Sequence, residues 1–302
     1  MDRFRELSTF VAVAEAGAFN EAARRLHLSP PVVTRLVTAL EGRLGVPLLT
    51  RTTRRVALTE AGRHLLQDAR RILADLQEAE AVAAGERVVP RGLLSLTAPV
   101  LFGQRFIMPI LRDYLDAHPD LRASTLFVDR VVNLLEEGLD IAVRIGPLDD
   151  SGLFATRVGT VRRVVVAAPA YLERAVPLAR TEDLPAHRII LSTAAIDADG
   201  WSFSLGGTVR RVRLAPALRV NSNSAAIDAA VAGWGVTRLL SYQVADALAD
   251  GRLVEVLAAE DDERLPIHLL QAEGRKASAK IRGFIELAAL RLRAEAQRLA
   301  AV

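Results

Sequence analysis

The sequence predicts a multi-domain chain: an all-α module with a small hairpin, a linker helix, and a two-lobed α/β domain. Three observations predict it. Residues 4–62 hold three short helical patterns followed by an Arg-studded hairpin. Residues 60–83 repeat apolar positions at alternating three- and four-residue steps. From Leu93 onward, short apolar strands alternate with helical stretches, which predicts a mostly parallel sheet. At 302 residues the chain is too long for one small module. With 51% apolar and 25% charged residues it has ample core.

The first helix runs from about Phe4 to Ala16, with Leu7, Phe10, Val11 and Ala14 on one face. Gly17 stops it, because a left-handed conformation costs glycine no Cβ clash. Asn20 is placed to cap the second helix, Glu21 to Leu26, which buries Ala22, Ala23 and Leu26. His27-Leu28 makes the turn. Ser29 caps the third helix, and Pro30 and Pro31 fill its first turn, where N–H groups lack helical partners anyway. Val33, Val37, Leu40 and Leu44 form its buried stripe, and Gly45 ends it. Its other face shows Thr34, Arg35 and Thr38, with Pro30 and Pro31 at the tip. Such a helix fits a major groove.

Leu48 to Thr59 reads as two strands with Thr52-Thr53-Arg54 at the bend. Arg51, Arg54 and Arg55 have no acidic neighbour there, which suits phosphates or a narrow minor groove; alone, the hairpin also reads as an ordinary solvated surface. The whole is a winged helix-turn-helix pattern, so double-stranded DNA is the first partner to consider. Charge agrees. Through Gly62 there are nine basic and six acidic side chains, which accounts for the whole formal excess of +3. The candidate DNA-contacting residues are Asn20, Ser29, Pro30, Pro31, Thr34, Arg35, Thr38, Arg51, Thr52, Arg54 and Arg55.

The phrases AGAFNEAARRLHLS and ALEGRLGVPLLTRTTRRVALTEAG resemble, without gaps, the N-terminal domain of LysR-type transcriptional regulators. Two departures stand out: Pro30 where many members carry Gln, and Leu49 where many carry Phe. The first is expected to alter which bases are read, and the second to change only wing packing.

Thr59 can cap the linker helix, with Glu60 near its positive end. Leu65, Ala69, Ile72, Leu76, Ala79 and Ala83 form a seam for a twin helix, or for packing on the helix's own chain. The resemblance implies the first: a homodimer through this helix, and commonly a homotetramer. Gly85 to Gly92 reads as a hinge.

Beyond it, LLSLTA is a strand, Phe106 to Ala117 a helix, ASTLFV a strand, VVNLLEEG a helix and DIAVRIG a strand. TVRRVVVAAP is a crossover into a second lobe, where LRV, SAAIDAAVAGWG and VTRLL give strand, helix and strand. LPIHLLQAE is the return crossover, and Ala279 to Leu299 a closing helix; EDDE at Glu260 to Glu263 reads as a solvated loop. Two lobes joined by two crossovers resemble the type 2 periplasmic-binding-protein fold, the usual effector domain of this family. The expected domains are residues 1–59 for DNA, 60–88 for linker and hinge, and 92–302 for the effector. The first lobe takes about 92–162 and 266–302, the second about 163–265.

Ligands of open α/β sheets bind beyond the carboxyl ends of strands. That rule selects Thr97, Ala98, Pro99 and Val100, then Val128 and Asp129, then Arg144 to Gly146, then Ser192 and Thr193. It also selects Asn221, Ser222, Asn223 and Ser224, where a helix start suits an anion. The resemblance implies a small metabolite here, with an aromatic or aliphatic acid expected. Other readings remain: the Ser-Asn run and Asp129 as plain caps, Arg144 paired with Asp140 or Asp149, and Trp234 as core rather than cleft.

No apolar run is long enough for a membrane, MDRFRELSTF does not read as a secretory signal, and there is no cysteine, so a cytoplasmic protein is expected. Neither a phosphate loop, nor paired histidines at metal spacing, nor a Gly-x-Ser-x-Gly elbow is present; the five histidines are scattered. No enzyme, cofactor or metal is therefore expected. Two rivals remain. A solute-binding protein would leave the N-terminal module idle, and a non-specific architectural DNA protein would need no cleft.

Overall fold

The structure is a computed structural model, and it describes residues 2–51, 56–83, 89–148, 152–193, 200–274 and 277–301. Two compact units divide it, Met1–Gly92 and Leu93–Val302. Among the described residues no helix is long and apolar enough to cross a membrane. Thr52, Thr53, Arg54 and Arg55 of the expected wing, hinge residues 85–88 and Asp149 lie outside the described residues.

The first unit comprises α1 (Arg3–Ala16), α2 (Phe19–Arg25), α3 (Pro30–Leu44), β1 (Leu49–Arg51), β2 (Val56–Leu58) and α4 (Glu60–Ala83). Asp2 caps α1, accepting from Phe4 N and Arg5 N, and Gly17 ends it at φ 65°. The buried face of α1 is Glu6, Thr9, Phe10 and Val13. Leu7, Val11 and Ala14 pack half-buried against the same core as Phe10, as their spacing predicts. Glu6 is 1% exposed and survives burial because Arg43 Nη2 of α3 donates to it at 2.9 Å. Asn20 is not a cap. It lies inside α2, whose N-cap is Ala18 without a side-chain bond. Leu26 is half-buried rather than core, and Leu44 is 41% exposed, beyond the buried stripe of Val33, Val37 and Leu40.

Thr59 does cap α4, its Oγ1 accepting from Gly62 N at 3.0 Å. Gly62 is required there: a Cβ would fall 2.0 Å from Leu48 O. The expected seam on α4 is corrected at its start. Ala69 is fully buried and Leu65 packs on the unit's own core, whereas Ile72 is 41% exposed and Ala79 exposed.

The second unit runs β3 (Gly92–Ala98), α5 (Val100–Phe102), a π-helical turn (Gly103–Ile107), α6 (Met108–Ala117), β4 (Leu121–Phe127), β5 (Ile141–Ile145) and β6 (Phe154–Ala167). Then come α7 (Pro169–Leu172), β7 (Ile189–Ser192), β8 (Gly200–Leu205), β9 (Thr208–Arg213), β10 (Leu218–Val220), α8 (Asn223–Val231), β11 (Val236–Leu240), α9 (Ser241–Ala249), β12 (Val254–Val256), β13 (Arg264–Gln271) and α10 (Ala279–Ala301). Strand order is β10-β7-β11-β6-β13-β5-β3-β4, with β12 also on β6. The two crossovers are β6 and β13, paired antiparallel to each other from Arg264↔Arg162 to Gln271↔Phe154. The sheet is therefore mixed rather than mostly parallel: β6 and β13 oppose their neighbours, while β3–β5, β7–β10 and β7–β11 are parallel.

The first lobe packs β3, α6, β5 and α10 around Leu96, Leu111, Ile141 and Phe284. The second buries both sheet faces. Along β6, Val164 and Val166 enter one core and Val165 and Ala167 the other, the period-two alternation of a strand.

Two sequence expectations fail here, and one hairpin has no counterpart among them. VVNLLEEG is not a helix but a turn: Asn133 Oδ1 accepts from Leu135 N at 3.1 Å, the local bond that competes with helix. Only Leu134 of that stretch is buried. A hairpin, β8–β9, was not foreseen, although Gly206-Gly207 at φ 57° and 80° supplies its two-residue turn. EDDE is no solvated loop. Asp261 pairs with buried Arg238 and accepts from Ser204 N, Asp262 accepts from Gly206 N, and Glu263 takes Arg163 Nε at 3.0 Å. Burial holds the Arg238 guanidinium below its usual pKa, against the pull of Asp261. Its carbon lies 4.5 Å from the Phe203 ring centre.

Candidate nucleic-acid interface and effector cleft

The DNA-facing candidates are gathered by α3. Val33, Val37 and Leu40 fix its back against the core. Its front is open: Pro30, Pro31, Arg35 and Thr38 are exposed and Thr34 half-buried. With Ala39 these side chains line one open concavity. Arg35 forms no ion pair with a described residue. Ser29 stands at the N-cap through its backbone alone, with no side-chain capping bond, and Asn20 is exposed one helix away.

The wing strands are fixed to this helix by a residue that sequence reasoning passed over. Glu41 Oε1 accepts from Leu48 N at 2.8 Å and Leu49 N at 3.1 Å. An acid in the last turn of a helix opposes the macrodipole, and that oddity was the available signal. On the other strand, Val56 N donates to Gly17 O at 3.2 Å. The Arg51 backbone falls in β1.

In the second unit, four of the effector candidates form one chain across the lobes. Ser192 Oγ, after β7, donates to Asn223 Oδ1 at 2.8 Å. Asn223 Nδ2, on α8, donates to Asp129 Oδ2 at 3.3 Å. Asp129, after β4 in the other lobe, also accepts from Val100 N at 3.1 Å. Burial raises the Asp129 pKa above the usual carboxylate range, partly offset by the Val100 bond.

The other candidates have local roles. Thr97 is buried and its hydroxyl donates to Leu126 O at 2.6 Å. Ala98 is buried, its carbonyl accepting from Val128 N, and Pro99 precedes α5 as its N-cap. Ser222 caps α8 through Ala225 N at 3.3 Å, with Asn221 and Ser224 exposed beside it. Thr193 N and Oγ1 both donate to Val220 O. Arg144 is half-buried on β5, opposite His268 of β13, and Gly146 (φ 116°) donates to Pro266 O. Trp234 packs on the second lobe's core, with Arg188 5.5 Å over its ring.

Sequence reasoning missed a second inter-lobe contact. Tyr242 of α9 stacks edge-on to Phe102 and Phe106, with centroids at 5.4 and 5.8 Å. Beside it Arg105 Nη2 bonds Asp246 at 2.9 Å. Burial pushes the Tyr242 phenol above its ordinary pKa. No motif marks these residues, because Tyr242 and Asp246 lie 137 and 141 positions from Arg105 in sequence.

An open groove-sized helix beside a wing, and a two-lobed domain whose strand ends meet across the lobes, define a DNA-binding regulator with an effector domain. Residues 4–63 match the bacterial regulatory helix-turn-helix protein, lysR family, and residues 87–293 match the LysR substrate binding domain. The chain belongs to the LysR-type transcriptional regulators. It is 32% identical over 283 residues to an uncharacterized HTH-type transcriptional regulator of Haemophilus influenzae, covering 94% of this chain and 98% of that one. It is 30% identical to the regulator CrgA of Neisseria meningitidis, covering 93% and 94%. The solved structure of CrgA matches with a TM-score of 0.61 over 95% of this chain and 98% of that one. A mutant of OxyR from Corynebacterium glutamicum shares the fold, with a TM-score of 0.63 at 22% identity over 100% and 95%.

Proposed function

We propose that this regulator binds DNA as a homodimer, paired through the α4 stretch from Ile72 onward, and that two such dimers form a tetramer. Pro30, Pro31, Thr34, Arg35 and Thr38 face bases in the major groove. Ser29 and Asn20 lie at the rim, and Arg51, Thr52, Arg54 and Arg55 serve backbone or minor groove. The exposed, uncovered Ile72 supports the helix pairing.

The effector is a small organic acid held between the lobes by residues of the strand ends, among them Asp129, Ser192 and Asn221 to Ser224. The observation that carries this reading is the Ser192–Asn223–Asp129–Val100 chain, because it couples the candidate ligand residues of both lobes. A ligand that takes over these bonds changes lobe closure, and that change reaches the DNA through the dimer. It does so only if the ligand binds the two arrangements with different affinity. The chain works in the cytoplasm, without catalysis, cofactor or metal.

The test has two parts. Sheared genomic DNA is incubated with the full-length protein, and the bound fragments are sequenced. A few enriched sites with two related half-sites are the expected result; uniform recovery would favour an architectural role. Calorimetry with a panel of aromatic and aliphatic acids then tests the cleft. Silence across the panel, with no added protection of residues 222–224, removes the effector class.

A further inference from the structure

The tip of α3 is notable for what it withholds. A helix normally offers unpaired N–H groups in its first turn, and these attract phosphates. Here Pro30 and Pro31 have no N–H, and Val32 N and Val33 N both bond Ser29 O, at 3.0 and 3.2 Å. Residues 30–33 thus keep no free backbone donor for a phosphate, and the donors remaining at the tip are those of Ser29. The proline rings carry no side-chain donor or acceptor for a base edge either.

What the tip does offer is carbon. Two rows at i, i+4 spacing line the open concavity: Pro30, Thr34 and Thr38 along one, Pro31, Arg35 and Ala39 along the other. Among the described residues Arg35 brings the only charge in that lining. The major groove has one apolar feature that distinguishes bases, the C5 methyl of thymine, and its commonest partner for arginine is guanine.

We propose that Pro30 and Pro31 read thymine methyl groups, beside a guanine held by Arg35. Part of the half-site preference then comes from apolar contact, and phosphate affinity is left to Ser29 and to basic residues away from the α3 tip. This inference rests on α3 being the groove-reading helix.

Once a half-site has been defined from the enriched fragments, each of its thymines is replaced singly by deoxyuridine. That removes the methyl and leaves every hydrogen-bonding atom in place. The full-length wild-type protein should lose about fourfold in affinity at one or two thymines per half-site, the worth of burying one carbon. The salt dependence should not change, because no phosphate contact is lost. In Pro30→Gln the thymine–uracil difference at one of these positions should vanish and the preferred base should shift. Tolerance of uracil at every position, by a protein that still prefers its selected site, overturns this proposal alone. Absence of any preferred site overturns both it and the assignment of α3 to the groove.

Discussion

The front of α3 and the inner ends of the second unit's strands are both candidate binding surfaces, and they are built in opposite ways. On α3 the polar groups are unspent: Arg35 has no ion pair with a described residue, and the threonines face solvent or its edge. Between the lobes the polar groups are spent on one another, from Ser192 through Asn223 to Asp129. A duplex is a rigid ligand with its own water to shed, and an open face meets it without first breaking protein contacts. A small effector bound there, as proposed, must instead exchange existing bonds. Each is worth about 0.5–1.5 kcal/mol net, small enough to be replaced and large enough to bias closure.

Substitutions can break this contrast or sharpen it. The largest effect should come from a third kind of surface, charge buried for good. Arg238→Ala leaves Asp261 without its partner and should cost about 3–5 kcal/mol in denaturant unfolding of the second unit. A near-neutral result would show that the EDDE segment adapts as a solvent loop does. Arg35→Ala should lose about 1–3 kcal/mol of specific DNA affinity if it bonds a base bidentately. Its melting temperature should stay at the wild-type value, and a clear drop would mean that the α3 front is not open. Asn223→Ala removes the link between the lobes and should cost about 1 kcal/mol, seen as faster amide exchange at the start of α8. Unchanged exchange would make the link incidental.

The smallest effect is on pH dependence. The folded Asp129 carboxyl holds its proton more tightly than in the unfolded chain, so its contribution to stability is greatest at low pH. That contribution is lost as pH rises from about 4 through the folded value. Asp129→Asn should therefore lose less stability than wild type across that window, as followed by thermal unfolding. A larger loss in the variant would mean that the carboxylate, rather than the acid, is the favoured partner of Asn223.

The readable parts of the chain were those where local chemistry and tertiary fate agree. Gly17, Gly45, Thr59 and the Val33–Val37–Leu40 stripe do what their positions require of them. Asn20 failed as a cap because α2 begins two residues earlier than its pattern suggests. VVNLLEEG carries helical spacing, but Asn133 offers the backbone a nearer bond and the second unit supplies cover only for Leu134. Asp261 looks like solvent-loving charge until Arg238, 23 positions earlier, is found beneath it. The strand-end rule located the residues that meet between the lobes, but not which of them touch. The Asp129–Asn223 bond spans 94 positions and has no local signature. Residue types mark where polar groups gather, and the topology of β6 and β13 decides which ones face each other.

Glu41 has a mechanical consequence. One carboxylate oxygen holds two successive amides at the start of the wing, and so ties β1 to the last turns of α3. Helix and hairpin then behave as the jaws of a caliper with a locked screw. In the DNA-bound homodimer proposed above, the offset between the bases met by the helix and the backbone met by the strands is set inside each protomer. An operator that stretches or shrinks within a half-site meets a reader that does not give. Tolerance for variable spacing has to be found between half-sites, where two calipers are joined by something longer and more compliant.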